Sequence, residues 1–397
     1  MRGAIAGRKG LLTSAWYGAL FFAFGAHLPY WPVWLANWGL TEAEIGAYFG
    51  LAMAVRIPGL MLLPALADRF AQRRSVVVGA ALVAATVFLL HLGIGTRPVL
   101  LAATLTAAFF TASLIPIGEA LGLWASEIHG FPYSHARAVG SLAFLVMNLG
   151  LGAAIARLGP GVVLWAVVLC FLVVAGLGLM HPGGGAPPGA GRDQARWREA
   201  LGLLAQPVFL VFALAASIGQ ASHSVYYAYG TLTWLGQGIG FGVIGALWAT
   251  AVMAEILLML GRGRVWVARL GPTRALLLGS AAGMLRWGLM SLEPPLALLW
   301  PVQALHALTF GLGHLGAMAF VAAAVPPRLQ ASAQGVNGGG IGGLAITLAS
   351  LAASAIIACF GIASAYWLAA AMLAVALGAA LWLGQIWDGG RVVPDQT

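Results

Sequence analysis

Residues 286–318 open on Arg286-Trp287-Gly288-Leu289-Met290, pause at Glu293-Pro294-Pro295, and continue through Gln303-Ala304-Leu305-His306-Ala307-Leu308-Thr309-Phe310 to Gly313-His314. Both arms are apolar and read as helices. The first carries a lone arginine, the second Gln303, His306, Thr309 and His314. An ionisable group is expensive to hold inside so apolar a segment, and it marks a solute or proton pathway before it marks packing. At about 100° per residue, Gln303, His306, Phe310, Gly313 and Ala317 share one face, with His314 roughly 80° round from His306. A polar stripe on an apolar helix suits a solvated central cavity. The two arms read as membrane spans that line one.

The rest of the chain agrees. Of 397 residues, 61% are hydrophobic and 8% charged, and the mean hydropathy is +0.92. A soluble domain carries about a quarter of its residues as charges, so a soluble enzyme is excluded and a polytopic membrane protein is expected. The net charge of +9 would suggest nucleic acid only if the basic residues clustered on a soluble face. They lie in short loops between apolar segments, so the bilayer is the expected partner and nucleic acid is not. Cys170 and Cys359 sit in apolar runs without disulfide or metal spacing, and neither a metal nor another cofactor is expected. No cleavable signal peptide is expected either, because the first apolar segment runs on into a spanning pattern.

About 20 apolar residues cross a bilayer. Twelve such spans are expected in an all-α chain, at 11–36, 43–66, 75–95, 99–125, 136–158, 161–181, 206–233, 240–262, 273–292, 296–324, 329–358 and 361–386. The long polar gap, 182–205, holds Pro187-Pro188 and an amphipathic piece with Arg192, Arg196 and Arg198. It divides the chain into a six-helix half (1–181) and a second six-helix half (206–397). Arg2, Arg8, Lys9, Arg69, Arg73, Arg74, Arg262, Arg264, Arg269, Arg274, Arg328 and Arg391 fall on the linker's side, against Arg97 and Arg157 on the other. By the positive-inside rule, both termini and the linker face the cytoplasm of an inner membrane.

The halves repeat weakly. Trp34-Leu35 and Ile45-Gly46 recur as Trp234-Leu235 and Ile244-Gly245, and Arg69 and Arg74 as Arg269 and Arg274, at an offset of 199 or 200 residues. Two repeated halves with a site at the midplane is a common design of secondary transporters. At the same offset Arg56 corresponds to Glu255, two intramembrane charges of opposite sign that are expected to face a shared cavity.

The loop Pro64-Ala65-Leu66-Ala67-Asp68-Arg69-Phe70-Ala71-Gln72-Arg73-Arg74 resembles the helix 2–3 motif of the major facilitator superfamily, with Pro64 where the family begins on glycine. A narrower resemblance covers nearly the whole chain. Gly39-Leu40-Thr41-Glu42-Ala43-Glu44-Ile45-Gly46, Ser222-His223-Ser224-Val225-Tyr226-Tyr227, Ala254-Glu255, Leu285-Arg286-Trp287-Gly288 and Gln303 to Phe310 resemble the 3-phenylpropionate permease-like group, which is related to lactose permease and the oligosaccharide:proton symporters. The comparison with lactose permease implies that Glu119 and Arg137 bind substrate, that Glu255 contacts it, and that Arg286 and His306 take part in coupling. That permease has a proton-carrying glutamate where this chain has Thr309, so the proton step does not transfer.

Each candidate has a second reading. Glu119 and Glu255 are proton-carrier candidates, since a carboxyl in a low-dielectric cavity can sit protonated near neutrality and release the proton as a cation approaches. They could instead be structural partners of Arg137 and Arg56. Arg56 and Arg286 suit a two-pronged grip on a carboxylate, or serve to neutralise Glu255. His306 can relay a proton or hydrogen-bond between helices. Gln303, His223, His314 and Tyr227 read either as lining the site or as packing, and so does His27, while His91 is given no role. Trp34 and Trp234 are expected in an interfacial belt. Asp68 with Arg69 reads as a conformational latch. The glycine-rich Asn337–Gly343 stretch lacks the Lys-Ser/Thr of a phosphate loop and reads as packing or a hinge.

The expected molecule is a monomeric alternating-access carrier that moves a small organic solute with protons. An aromatic carboxylate is favoured, with a saccharide or an efflux substrate as the alternatives. A non-transporting assembly or sensory factor is the reading from another class. Its mark would be tolerance to loss of Glu119, Glu255 and Arg286. An intramembrane enzyme is disfavoured, for no nucleophile–base or metal-ligand cluster is present.

Overall fold

Every expected span is a helix in the computed structural model, which describes residues 7–184, 199 and 201–393. Arg2, Arg192, Arg196 and Arg198, with Pro187-Pro188 and the amphipathic piece of the linker, lie outside the described residues. The long helices are α1 (Arg8–Trp38), α2 (Glu42–Arg69), α3 (Arg73–Gly93), α4 (Arg97–His129), α5 (Tyr133–Leu158), α6 (Val162–Leu179), α7 (Pro207–Gly236), α8 (Phe241–Leu260), α9 (Pro272–Ser291), α10 (Leu296–Ala324), α11 (Pro327–Phe360) and α12 (Ile362–Ile386).

Eleven of these are long and apolar enough to cross a membrane. The exception among the expected twelve is α9, which is 20 residues long but carries Arg274 and Arg286 beside Gly279, Ser280 and Gly283. It is the helix whose arginine the sequence singles out. Its buried face (Gly279, Ser280, Gly283, Arg286, Trp287, Met290) packs on α12 and α10, which shields the polar atoms that a lipid-facing helix could not carry. A short helix, Gly263–Leu270, precedes it and was not expected from hydropathy.

Several spans are broken rather than regular. α4 interrupts at Ser113 and α7 at Ser222. α10 passes through a π-helical stretch at Ala307–Leu312, and α11 through another at Gly335–Gly342. Such turns free backbone groups that other side chains must satisfy. In α7, Gln220 Nε2 donates to the Phe310 carbonyl (3.4 Å), and Ser217 Oγ donates to the Asn337 carbonyl (2.7 Å). One face of α7 thus supports both π-helices. The Asn337 stretch is a widened turn held by a serine.

The helices form two compact units: Met1–Leu40 with Leu51–Arg192 and Gly240–Ala246, and Thr41–Gly50 with Asp193–Ile239 and Leu247–Thr397. In the first, α1 packs on α5 and α6, and α3 on α6. In the second, α12 packs on α9 and α7, and Phe212 stacks on Phe320 at 4.0 Å. The weak repeat reappears as matching contacts. In the first unit Tyr30 Oη donates to the Asn148 carbonyl (2.6 Å) and lies against Gly245. In the second, Tyr229 Oη lies against Gly46, so close that no side chain fits there. Tyr30 and Tyr229 are 199 residues apart, as are Gly46 and Gly245.

Three expectations are corrected. Trp34 and Trp234 do not form an interfacial belt: both are buried, Trp34 stacked on Trp31 at 4.7 Å and Trp234 edge-on to Trp248 at 6.1 Å. Their large apolar area is used inside the units. Asp68 pairs with Arg73 (2.6 Å), not Arg69. α2 ends at Arg69, a turn with Ala71 at φ 52° reverses the chain, and the first residue of α3 then faces Asp68, while Arg69 lies over Phe70. The third concerns His314.

Candidate functional site

The second unit gathers the polar stripe around one side chain. Arg286, on α9, is fully buried, its guanidinium packed against the rings of both Trp287 (4.4 Å) and Tyr226 (4.7 Å). Cation–π contact of this kind offsets part of the cost of burying the charge. Nη2 donates to Gln303 Oε1 (2.9 Å), and Nη1 to Thr309 Oγ1 (3.2 Å) and His306 Nδ1 (2.9 Å). Nε is buried without a hydrogen-bond acceptor. Among the described residues no carboxylate meets this guanidinium.

The nearest acid is reached through a ring. His306 Nε2 stands 3.4 Å from Glu255 Oε2 on α8. Thr309 links onward to His223 Nε2 (3.1 Å), whose Nδ1 meets the Gln220 carbonyl (3.2 Å). Tyr227 is partly buried one turn after His223, its ring 6.1 Å from the imidazole. Trp287 is itself anchored, with Nε1 donating to Ser222 Oγ (3.1 Å) at the break in α7. Five of the expected residues (Arg286, His306, Gln303, Glu255 and His223) therefore form one network. Thr309, noted in the sequence as a polar residue of this arm and for differing from a relative, is a full member.

The π-helix explains both Thr309 and His314. In a regular helix His314 stands off the His306 face. The wider turn of Ala307–Leu312 makes eight residues span roughly two whole turns. His306, Phe310 and His314 consequently stack in a column, with ring centroids 5.2 and 6.2 Å apart. His314 is exposed at its end, outside the hydrogen-bonded network.

The first unit holds a simpler site. Arg137 Nε, on α5, donates to Glu119 Oε1 on α4 (3.2 Å), with side chains 29% and 40% exposed. Arg137 lies over Phe21 at 4.2 Å, and Tyr17 Oη donates to the Gly118 carbonyl (3.1 Å). Trp16 lies against the Gly118 Cα, where any side chain would collide. Elsewhere in this unit Arg56 stands near enough to act electrostatically on His27, which stacks on Trp31 at 5.6 Å. Sequence reasoning missed Tyr226, Trp287 and Phe21 as walls of the two cation sites. An aromatic residue adjacent to each arginine's helix neighbour is too common a pattern to signal this. Among the described residues no group of three His, Cys, Asp or Glu could hold a metal ion.

Comparison with known proteins matches this architecture. A family model described as "MFS_1 like family" matches residues 12–368. The chain is 29% identical over 332 residues to the "Probable 3-phenylpropionic acid transporter" of Escherichia coli (strain K12), covering 82% of this chain and 86% of that one. It is 26% identical over 342 residues to the maltose permease of Geobacillus stearothermophilus, covering 84% of each. The solved nucleoside transporter NupG superposes with a TM-score of 0.83 at 14% identity, covering 95% of this chain and 99% of that one, a likeness of fold alone.

Proposed function

This chain belongs to the MFS_1 like family and is a membrane transporter, and from that premise we propose that it imports a small aromatic carboxylate together with protons. The observation that carries the reading is Arg286, a desolvated guanidinium against two aromatic rings with no carboxylate of its own. A planar acid brings the missing anion and a ring for the aromatic wall. A relative named for a phenylpropionic acid supports the same class. Uptake then proceeds by alternating access in an inner membrane, as a monomer with both termini cytoplasmic. The basic loop residues support that orientation.

Glu255 is the proposed proton carrier on the second unit, because it closes the network at the end away from Arg286. Glu119 and Arg137 form the accessory solute contact of the first unit. A saccharide is the second reading, favoured by the maltose permease relative and by the partly exposed acid–base pair, which suits hydroxyl groups.

Proteoliposomes with an internal pH dye test this, with phenylpropionate, other aromatic acids and disaccharides added in turn. Phenylpropionate should carry protons inward in wild type and none in Glu255→Gln, which should still exchange solute. Proton movement with disaccharides alone would replace the carboxylate reading with the saccharide one.

A further inference from the structure

The directions of the hydrogen bonds around Arg286 decide what His306 can do. A guanidinium N–H only donates. The 2.9 Å contact from Nη1 therefore falls on a bare Nδ1, and the ring's hydrogen stands on Nε2, 3.4 Å from Glu255 Oε2. The second branch is ordered in the same way. The Gln220 carbonyl only accepts, so His223 carries its hydrogen on Nδ1 and takes the Thr309 hydroxyl hydrogen at Nε2, 3.1 Å away. Thr309 Oγ1 in turn accepts from Arg286 (3.2 Å). Two donor chains leave one arginine. One ends on a carboxylate and the other on a backbone carbonyl.

A proton added to Nδ1 of His306 would set two cationic N–H donors head to head across 2.9 Å. The imidazole cannot load a proton while Arg286 occupies that nitrogen. We infer that His306 is a positioning residue, held neutral by Arg286 and holding its Nε2–H on Glu255, and that a solute carboxylate is bound at Arg286 in competition with His306 Nδ1. The inference rests on the proton-coupled carboxylate reading above and names the group that changes partner. A carboxylate is a stronger acceptor for a guanidinium than an imidazole nitrogen or a hydroxyl. Once it takes Nη1, the His306 ring loses the contact that fixes it, and its hold on Glu255 loosens. The coupling is reciprocal, so a proton on Glu255 weakens the Nε2–H contact and frees Arg286 for the solute. Tyr227 on α7 and His314 on α10 also lie within electrostatic reach of Glu255 in this unit.

Three variants in proteoliposomes separate the roles, with phenylpropionate as the probe and pH-driven accumulation, exchange and KM as the readouts. His306→Gln keeps an amide donor toward Glu255 and removes the acceptor at Arg286. It should still accumulate phenylpropionate, with KM lowered about fivefold because the competitor is gone. His306→Asn restores an acceptor near the Nδ1 position and should return KM toward wild type. Glu255→Gln should exchange solute without accumulating it. Exchange without accumulation in His306→Gln would make the histidine the carrier and overturn the inference, and a raised KM there would overturn the competition.

Nitrogen NMR of histidine-labelled wild type, with His306→Gln to identify the resonance, decides the ring's state independently of transport. The neutral Nε2–H tautomer is expected from about pH 5 to pH 8. An imidazolium signal from His306 in that range refutes it, whatever the variants do in transport. Wild type that exchanges phenylpropionate but never accumulates it with a proton gradient removes the coupled reading alone. The spectrum still reports on His306. Wild type that moves only disaccharides removes the carboxylate competition.

Discussion

The two units each place an arginine over aromatic rings, yet treat it differently. Arg137 meets Glu119 directly, in a pair 29% and 40% exposed. Arg286 is sealed off, bonded to neutral acceptors, and separated from Glu255 by an imidazole. An exposed pair is solvated whether open or closed, so changing partners costs it little. In a buried network each bonded group depends on another, and removing one strands the rest. The first unit's pair is suited to adapt to the solute. The second unit's network is suited to respond to it in an all-or-none way.

The largest expected effect tests the sealed side. Arg286→Met should reduce phenylpropionate uptake at least about a hundredfold, roughly 2.7 kcal/mol, and lower stability by about 3 kcal/mol in thermal unfolding. Arg286→Lys should rescue little, because one ammonium cannot span Gln303, His306 and Thr309. Arg137→Gln tests the open side. It should raise KM about tenfold while costing under about 1 kcal/mol of stability. Equal stability losses at the two arginines would abolish the contrast.

The matched glycines sharpen it from another direction. Gly46→Leu must displace the end of the Tyr229 side chain, whereas Gly245→Leu must displace the Asn148 backbone carbonyl as well as Tyr30. Overpacking of this kind costs about 1–3 kcal/mol, and Gly245→Leu should cost the more. Equal losses of melting temperature would show that the repeat is mechanically symmetric.

The smallest effect is confined to acid pH and to the first unit. His181, just past α6, is fully buried, and Gly183 N–H donates to its Nδ1 (3.1 Å). Burial, then the Arg74 charge, pushes it from 6.5 down to about 4. Below pH 6.5 the unfolded chain gains a proton that the folded one refuses, so stability should fall as pH drops from about 6.5 to 4. Above that window the ring is neutral in both states and contributes no slope. His181→Phe should flatten the acid limb of a melting-temperature profile, and an unchanged limb would assign it to other groups.

Much of this was legible in the sequence because the bilayer imposes a local rule. Each span must be apolar along its own length, so hydropathy alone marks eleven of the long helices and the charges that interrupt them. The offset of 199 residues, together with Arg286, Gln303, His306 and Glu255, was readable in the same way. Partners were not. His223 and Thr309 are 86 residues apart, and their meeting depends on the break at Ser222, the π-turn of α10 and the packing of helices that hydropathy treats as independent. That turn also returns His314 to the His306 column, and the reversal at Ala71 gives Asp68 to Arg73. Transfer free energy adds residue by residue and is written in the chain, whereas a hydrogen bond needs two groups within about 3 Å and a set direction. The sequence alone therefore determined where the charges lie in the membrane. Only the tertiary structure decided which atoms they hold, and through the bare Nδ1 of His306, which way the protons point.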